Sequence, residues 1–206
     1  MIFDGEATLP RAESPAAKDV RPADSRERIL AVAYELFSRR GVRDVGVNEL
    51  IERSGVAKAT FYRHFSSKDS LVLAFLDLRD QLWTVDKIVG QAKMRATKPA
   101  EQLLAIFDVF GEWFLRDDFE ACSFINILLE MGPAHPLGRA SIDYLARIRG
   151  HVQALAEEAG LERPEDFARS WHILMKGSIV SASEGDIGAA KRAQQMAGWL
   201  IAHHSS

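Results

Sequence analysis

A chain of 206 residues with 47% hydrophobic and 27% charged side chains is long enough for one small unit plus one larger core, and too apolar for general disorder. No uncharged stretch approaches the ~20 residues that span a bilayer, and the single Cys122 rules out an internal disulfide. A bacterial-type cytoplasm with no membrane partner is the expected compartment, and the net charge of -3 informs only through its distribution.

In chain order, residues 1–22 come first. Pro10, Pro15 and Pro22 stand among scattered alanine and charge with no sustained apolar period, so a flexible arm is expected. The early Asp4, and the lack of a basic region leading into an apolar run, argue against a secretion signal. From Ser25 to Arg40, the residues Ile29, Leu30, Ala33, Leu36 and Phe37 recur at helical spacing, with Asp24 or Ser25 as N-cap and Gly41 as closing residue. Val47 to Lys68 reads as a short helix, a tight turn at Gly55 and a second short helix, which is a helix-turn-helix. Phe61 and Phe65 lie four apart and share the face to be buried. The other faces carry Lys58, Thr60, Tyr62, Arg63 and His64, donors of the kinds that grip phosphate oxygens and base edges. A further helix starts after Ser66 or Ser67, with Lys68 in its first turn and Leu71, Val72, Phe75 and Leu76 beneath. Ile29, Ala33, Phe37, Leu50, Ile51, Val56, Phe61 and Phe65 form the expected core of this three-helix head.

Charge agrees. Residues 21–68 hold ten Lys or Arg against six Asp or Glu, a local +4 on a chain that is acidic elsewhere. A basic head on an acidic body suits a protein that meets DNA at one end, although a solvated uneven surface gives the same count.

These residues resemble the TetR family of bacterial transcription regulators. The resemblance rests on Arg28 to Leu30, Ala33, Leu36, Phe37, Gly41, Gly55-Val56, then Thr60-Phe61-Tyr62-Arg63-His64-Phe65 with Lys68 and Leu71. A weaker likeness covers Ala121 to Asn126 with His135-Pro136. The chain departs from the family pattern at Val45 and Gly46, where a hydroxyl pair usually opens the second helix, and at Ala57 and Ala59, which replace serine and glycine. Asn48, one turn in, is then a substitute donor. The resemblance implies phosphate contacts from Thr60, Tyr62, His64 and Lys68; base preference does not carry over from it, and base contacts are expected from Lys58, Ala59, Arg63 and Asn48 as the exposed positions facing the groove.

The rest reads as helix: Lys68 to about Val89, Pro99 to Leu115, Cys122 to Met131, Pro136 to Ala159, Pro164 to Ser183 and Asp186 to Ala202, broken where glycine and proline interrupt the period. No alternating β-branched run occurs, so the expected fold is all-α. The expected organisation is an arm at 1–22, a helix-turn-helix DNA-binding domain at 23–70 and a helical effector-binding and dimerisation domain at 71–206. Leu103, Phe107, Phe110 and Phe114 form an apolar stripe with Trp113 beside it, and Phe124, Asn126 and Glu130 follow on the next helix. Such stripes are ordinarily core, but the resemblance implies a small-molecule cavity among them. The candidate ligand set is Phe107, Phe110, Trp113, Phe114, Phe124, Trp171 and Met175, with Asn126, Glu130, Tyr144 and His172 as polar anchors.

The last two helices suggest a subunit interface. Trp171, Leu174, Met175, Ser178, Ile179 and Ala182 share one face, and Met196, Trp199 and Leu200 supply a second; the resemblance implies a homodimer built from this pair. An enzyme is the competing class, with Cys122 and His135 as an imaginable nucleophile and base, yet no third orienting residue is evident. No metal spacing, phosphate loop or cofactor motif is found, and His203 and His204 sit at an end expected to fray. The expected function is therefore an operator-binding homodimer, a repressor released by an apolar or amphipathic ligand. A DNA-binding dimer without any effector remains open.

Overall fold

A computed structural model describes residues 24–205 as helices joined by short turns, with no strand among the described residues. The expected arm, 1–22, lies outside them. Helix α1 (Ser25–Arg40) starts at Asp24, whose N–H donates to the Glu27 carboxylate at 3.2 Å, satisfying a donor that the helix leaves open. Its stripe of Ile29, Ala33, Leu36 and Phe37 is buried. After α2 (Val47–Ser54) the chain turns at Gly55, which adopts a left-handed φ of 61° that a side chain would strain. Helix α3 (Lys58–His64) then crosses with Phe61 fully buried and Phe65 beneath it. Ile51 and Val56 are only half-buried; Val42 and Val45 complete the core in their place. Valine at 45 thus supplies apolar volume where sequence alone suggested only a lost hydroxyl.

Helix α4 (Lys68–Arg79) is capped by Ser67, whose hydroxyl accepts from the Ser70 N–H at 3.1 Å while Ser70 returns the bond. Phe75 of α4 meets the rings of Tyr34 and Phe37 edge-on, at 5.5 and 5.6 Å between centroids. Head and body therefore share one core. Where a plain helix ending near Val89 was expected, the backbone widens into a π-helix over Asp80–Val89 and runs on as α5 (Gly90–Arg95). Such segments gather at functional sites because they re-aim side chains within a helix.

The body continues with α6 (Pro99–Phe114), α7 (Ser123–Met131), α8 (Pro136–Glu158), α9 (Pro164–Ser183) and α10 (Ala189–His204). The turn from α7 to α8 requires glycine at 138, because a Cβ there would stand 1.9 Å from the Gly132 carbonyl oxygen. Helix α10 starts three residues later than expected, since Asp186 closes a turn by accepting from the Gly188 N–H at 3.1 Å. Its far end does not fray: His204 is buried, with Nδ1 2.6 Å from the Glu162 carbonyl oxygen.

Polar contacts fix the head on the body. Glu130 of α7 accepts from the backbone N–H of Val42 at 3.1 Å and from that of Arg43, gripping the turn between α1 and α2. Arg39 reaches Glu120 at 3.2 Å, and Arg79 donates to the Tyr34 hydroxyl at 2.6 Å. Hydrogen bonds to a charged acceptor contribute about 1.5 to 3 kcal/mol each, so Glu130→Ala is expected to lower stability by roughly 2 kcal/mol. The check is a chemical denaturation midpoint together with faster amide exchange at Val42 and Arg43; exchange unchanged there contradicts the role.

Candidate nucleic-acid interface and ligand site

The short helix α3 presents the expected donors unevenly. Lys58, Ala59, Tyr62 and Arg63 are exposed, and Thr60 is half-buried. Asn48, in the first turn of α2, is also exposed, and the N-terminus of α2 at Gly46 has no side-chain cap, as its residue types require. Around this surface, Arg39, Arg40 and Arg53 are tied to Glu120, Glu49 and Glu35. Lys58 and Arg63 carry no ion pair among the described residues, so two cations on one exposed helix are left for an outside anion. His64 departs from expectation: its ring is half-buried, with Nε2 enclosed and without a partner. Lys68 is half-buried too. Burial lowers its pKa, while Glu130, Asp69 and Asp44 pull the other way.

In the body, the aromatic stripe is packed. Phe107, Phe110, Trp113, Phe114 and Phe124 are all buried; Phe107 meets Trp171, Trp113 meets Trp83 and Phe119, and Phe114 meets Phe119 in edge and tilted contacts. Two small apolar voids remain, each of about 20 Å³, enough for a single water and far below the ~300 Å³ of a ligand pocket. Phe110, Trp113, Phe124, Trp171 and Met175 line them; Phe107 and Phe114 do not.

The polar anchors need correcting. Asn126 points to solvent because Phe124, Ile127 and Leu128 take the inner face of α7. Glu130 is committed to the Val42 and Arg43 backbone. Tyr144 stacks on Phe124 at 5.1 Å and donates its hydroxyl to Asp77, so burial, reinforced by that carboxylate, pushes its pKa up. His172 is buried 3.5 Å from Arg149, and burial with the positive Lys176 and Arg149 pulls its pKa down to about 3, keeping the ring neutral. Sequence reasoning missed Arg79, Trp83, Thr84 and Ile88, all on the column running from α4 into the π-helix, which line these voids. Thr84 Oγ1 and Trp171 Nε1 are buried there without partners.

The apolar face expected on α9 is also out of phase: Trp171, Met175, Ser178 and Ile179 are buried within the protomer, and Ile173 and Val180 are exposed instead, whereas Met196 and Trp199 of the second expected face, on α10, are exposed. Between these two helices lies a groove of about 320 Å³ lined by Ile173, Leu174, Gly177, Ala193 and Met196. The imagined enzyme pair is likewise occupied otherwise. Cys122 is buried with its thiol pKa raised by burial, and His135 Nδ1 accepts from Leu137 N–H at the start of α8.

Residues 29–75 match the family described as bacterial regulatory proteins, tetR family. Over 100 residues the chain is 35% identical to the HTH-type transcriptional activator FasR of Mycolicibacterium smegmatis, covering 47% of this chain and 43% of that protein. The transcriptional regulator EthR of Mycobacterium tuberculosis is 36% identical over 98 residues, 47% of this chain and 39% of its own length. The chain thus spans less than half of these curated relatives. Among solved structures, a TetR-family transcriptional regulator from Streptomyces coelicolor superposes with a TM-score of 0.79 at 26% identity, covering 88% of this chain and 96% of that one. A regulator of like description from Streptomyces avermitilis gives 0.74 at 27% identity, over 85% and 99%. Residues 29–75 thus carry the N-terminal domain of the tetR family of bacterial regulatory proteins, and the all-helical fold behind it is that of solved TetR-family regulators.

Proposed function

We propose that the protein is a homodimeric, operator-binding transcription regulator and not an enzyme, with residues 23–70 reading DNA and 71–206 pairing the subunits and sensing a ligand. The observation that carries this reading is the exposed face of α3, where Lys58 and Arg63 stand without ion pairs beside Ala59 and Tyr62. A helix of seven residues reads only a few base pairs, so a twofold pair is needed for a usable site. The apolar stripe of Ile173, Val180, Met196 and Trp199 supports that pairing, because exposed rows of this kind are buried in stable assemblies.

Repression asks least of such a dimer, since occupancy of a promoter blocks transcription without a further contact. Release by an apolar or amphipathic molecule is the finer part of the reading. It is supported by the unpartnered Thr84 and Trp171 donors at a void and by the π-helix beside them, features that a ligand would satisfy. The small volumes favour the effector-free alternative at that spot unless the voids open on binding.

On DNA chosen from a random pool, Tyr62→Phe and Lys68→Ala are expected to weaken binding to all sequences alike, with Lys68→Ala flattening the salt slope by about one unit. Arg63→Ala is expected instead to change the preferred base, by about 1 to 3 kcal/mol at its position. Anisotropy titrations across salt and a repeated selection check both, and a parent protein that enriches no sequence overturns the reading.

For the pairing, Trp199→Asp or Ile173→Asp is expected to give a folded monomer. Ile179→Asp, placing a carboxylate inside the protomer, is expected to unfold it. Sedimentation with circular dichroism separates the outcomes; a monomeric parent at micromolar concentration contradicts the dimer.

A further inference from the structure

At the junction of head and body, α1, α4 and the segment after α6 enclose a groove of about 380 Å³. Its volume falls in the range of small-molecule sites, unlike the voids of the body core. Arg79 lies on its wall and is 8% exposed. Its guanidinium sits over the rings of Tyr34 and Trp83, at 5.6 and 5.1 Å, and donates to the Tyr34 hydroxyl, but has no ion pair among the described residues. Glu120 and Asp118 feel its charge only at longer range, and a buried cation without a close ion pair is costly to hold. The nearby carboxylates are engaged elsewhere: Glu120 with Arg39 at 3.2 Å, and Asp118 with Arg116 at 2.6 Å through both oxygens. Ser38 Oγ, also on the groove wall, is enclosed without a partner.

Arg79, Trp83 and Trp113 line both this groove and the apolar void behind it. The two indoles touch at 4.6 Å between centroids, tilted by 54°, and so close the passage. Trp83 belongs to the π-helix, whose widened turn places it there. The void behind them, about 20 Å³, has room for no alkyl chain, so an apolar group entering the groove stays against the two indoles.

We propose that this junction groove binds a monocarboxylate with an apolar tail: the carboxylate pairs with Arg79 across its guanidinium fork, and the tail lies along the groove against Leu82, Trp83 and Trp113. A planar two-oxygen anion matches the fork. A single charge is what the groove accommodates, since Arg39 pairs with Glu35 and Glu120 and Arg116 with Asp118, which leaves Arg79 as the groove cation without an ion pair among the described residues. Tyr34, Ser38 and Arg39 lie on α1 of the reading head, so occupation re-seats that head. This last step rests on the ligand-release reading above, while the site itself does not.

The test is calorimetric titration of the full chain with hexanoate, octanoate and decanoate, against octanamide as the uncharged counterpart, with tryptophan fluorescence followed in parallel. Saturable binding of at least one carboxylate, one per protomer, is expected, with octanamide at least tenfold weaker and indole emission shifted. Arg79→Gln is expected to lose at least tenfold in carboxylate affinity. Because that variant loses a packed side chain, Ser38→Phe, which fills the groove and keeps the Arg79 side chain, is expected to lose binding as well. Carboxylate binding that leaves operator affinity unchanged supports the site and overturns only the release reading. No carboxylate binding, equal binding of octanamide, or binding indifferent to both substitutions overturns the proposal, even if an uncharged ligand still releases DNA.

Discussion

The head cannot bury its own core. Its three helices leave Tyr34 and Phe37 of α1 open on one side, and α4 closes that side with Phe75 while Leu71, Val72 and Leu76 are fully buried along the same helix. Hydrophobic burial is therefore shared across the junction, and the reading helix is positioned by an element that continues, unbroken, through the π-helix into the body. A displacement of α4 is felt at α3 because packed interiors move as units and do not absorb shifts gradually.

Hydrogen bonds refine what that shared core permits. Glu130 holds the turn after α1 from one side, and Tyr144 holds Asp77 of α4 from another. Both residues looked like ligand anchors in the sequence, and both instead tie α7 and α8 to the column that carries the head. A ligand that disturbs α7, α8 or the π-helix therefore needs no direct contact with α3 to change its orientation. Coupling of this kind requires only that the ligand bind the two orientations with different affinity.

Much of the head was legible because each signal there had a single structural solution. Gly55 at a left-handed turn and Phe61 with Phe65 on one face each admit one arrangement, and each cap lay within one residue, settled as Asp24 and Ser67. The body was legible as helices but not in their facing. Helix α9 is apolar on two sides, with Trp171, Met175 and Ile179 on one and Ile173 and Val180 on the other, so its period could not say which side turns inward. Asn126 failed for a related reason: on a nine-residue helix, a small error of phase carries a side chain from core to solvent. The π-helix had no signal at all, since Leu76, Thr84 and Ile88 keep a helical apolar spacing whether or not a turn widens between them. Buried polar atoms without partners, such as Thr84 Oγ1 and Ser38 Oγ, belong to packing and are invisible in sequence.

The central claim is that two copies of the α3 face act together on one stretch of duplex, and hydroxyl-radical footprinting of a selected site addresses it most directly. The account predicts two short protected tracts on the same face of the DNA, centred about 10 base pairs apart or at a multiple of that, related by a twofold axis. A single unpaired tract, or protection spread without any such spacing, would contradict it.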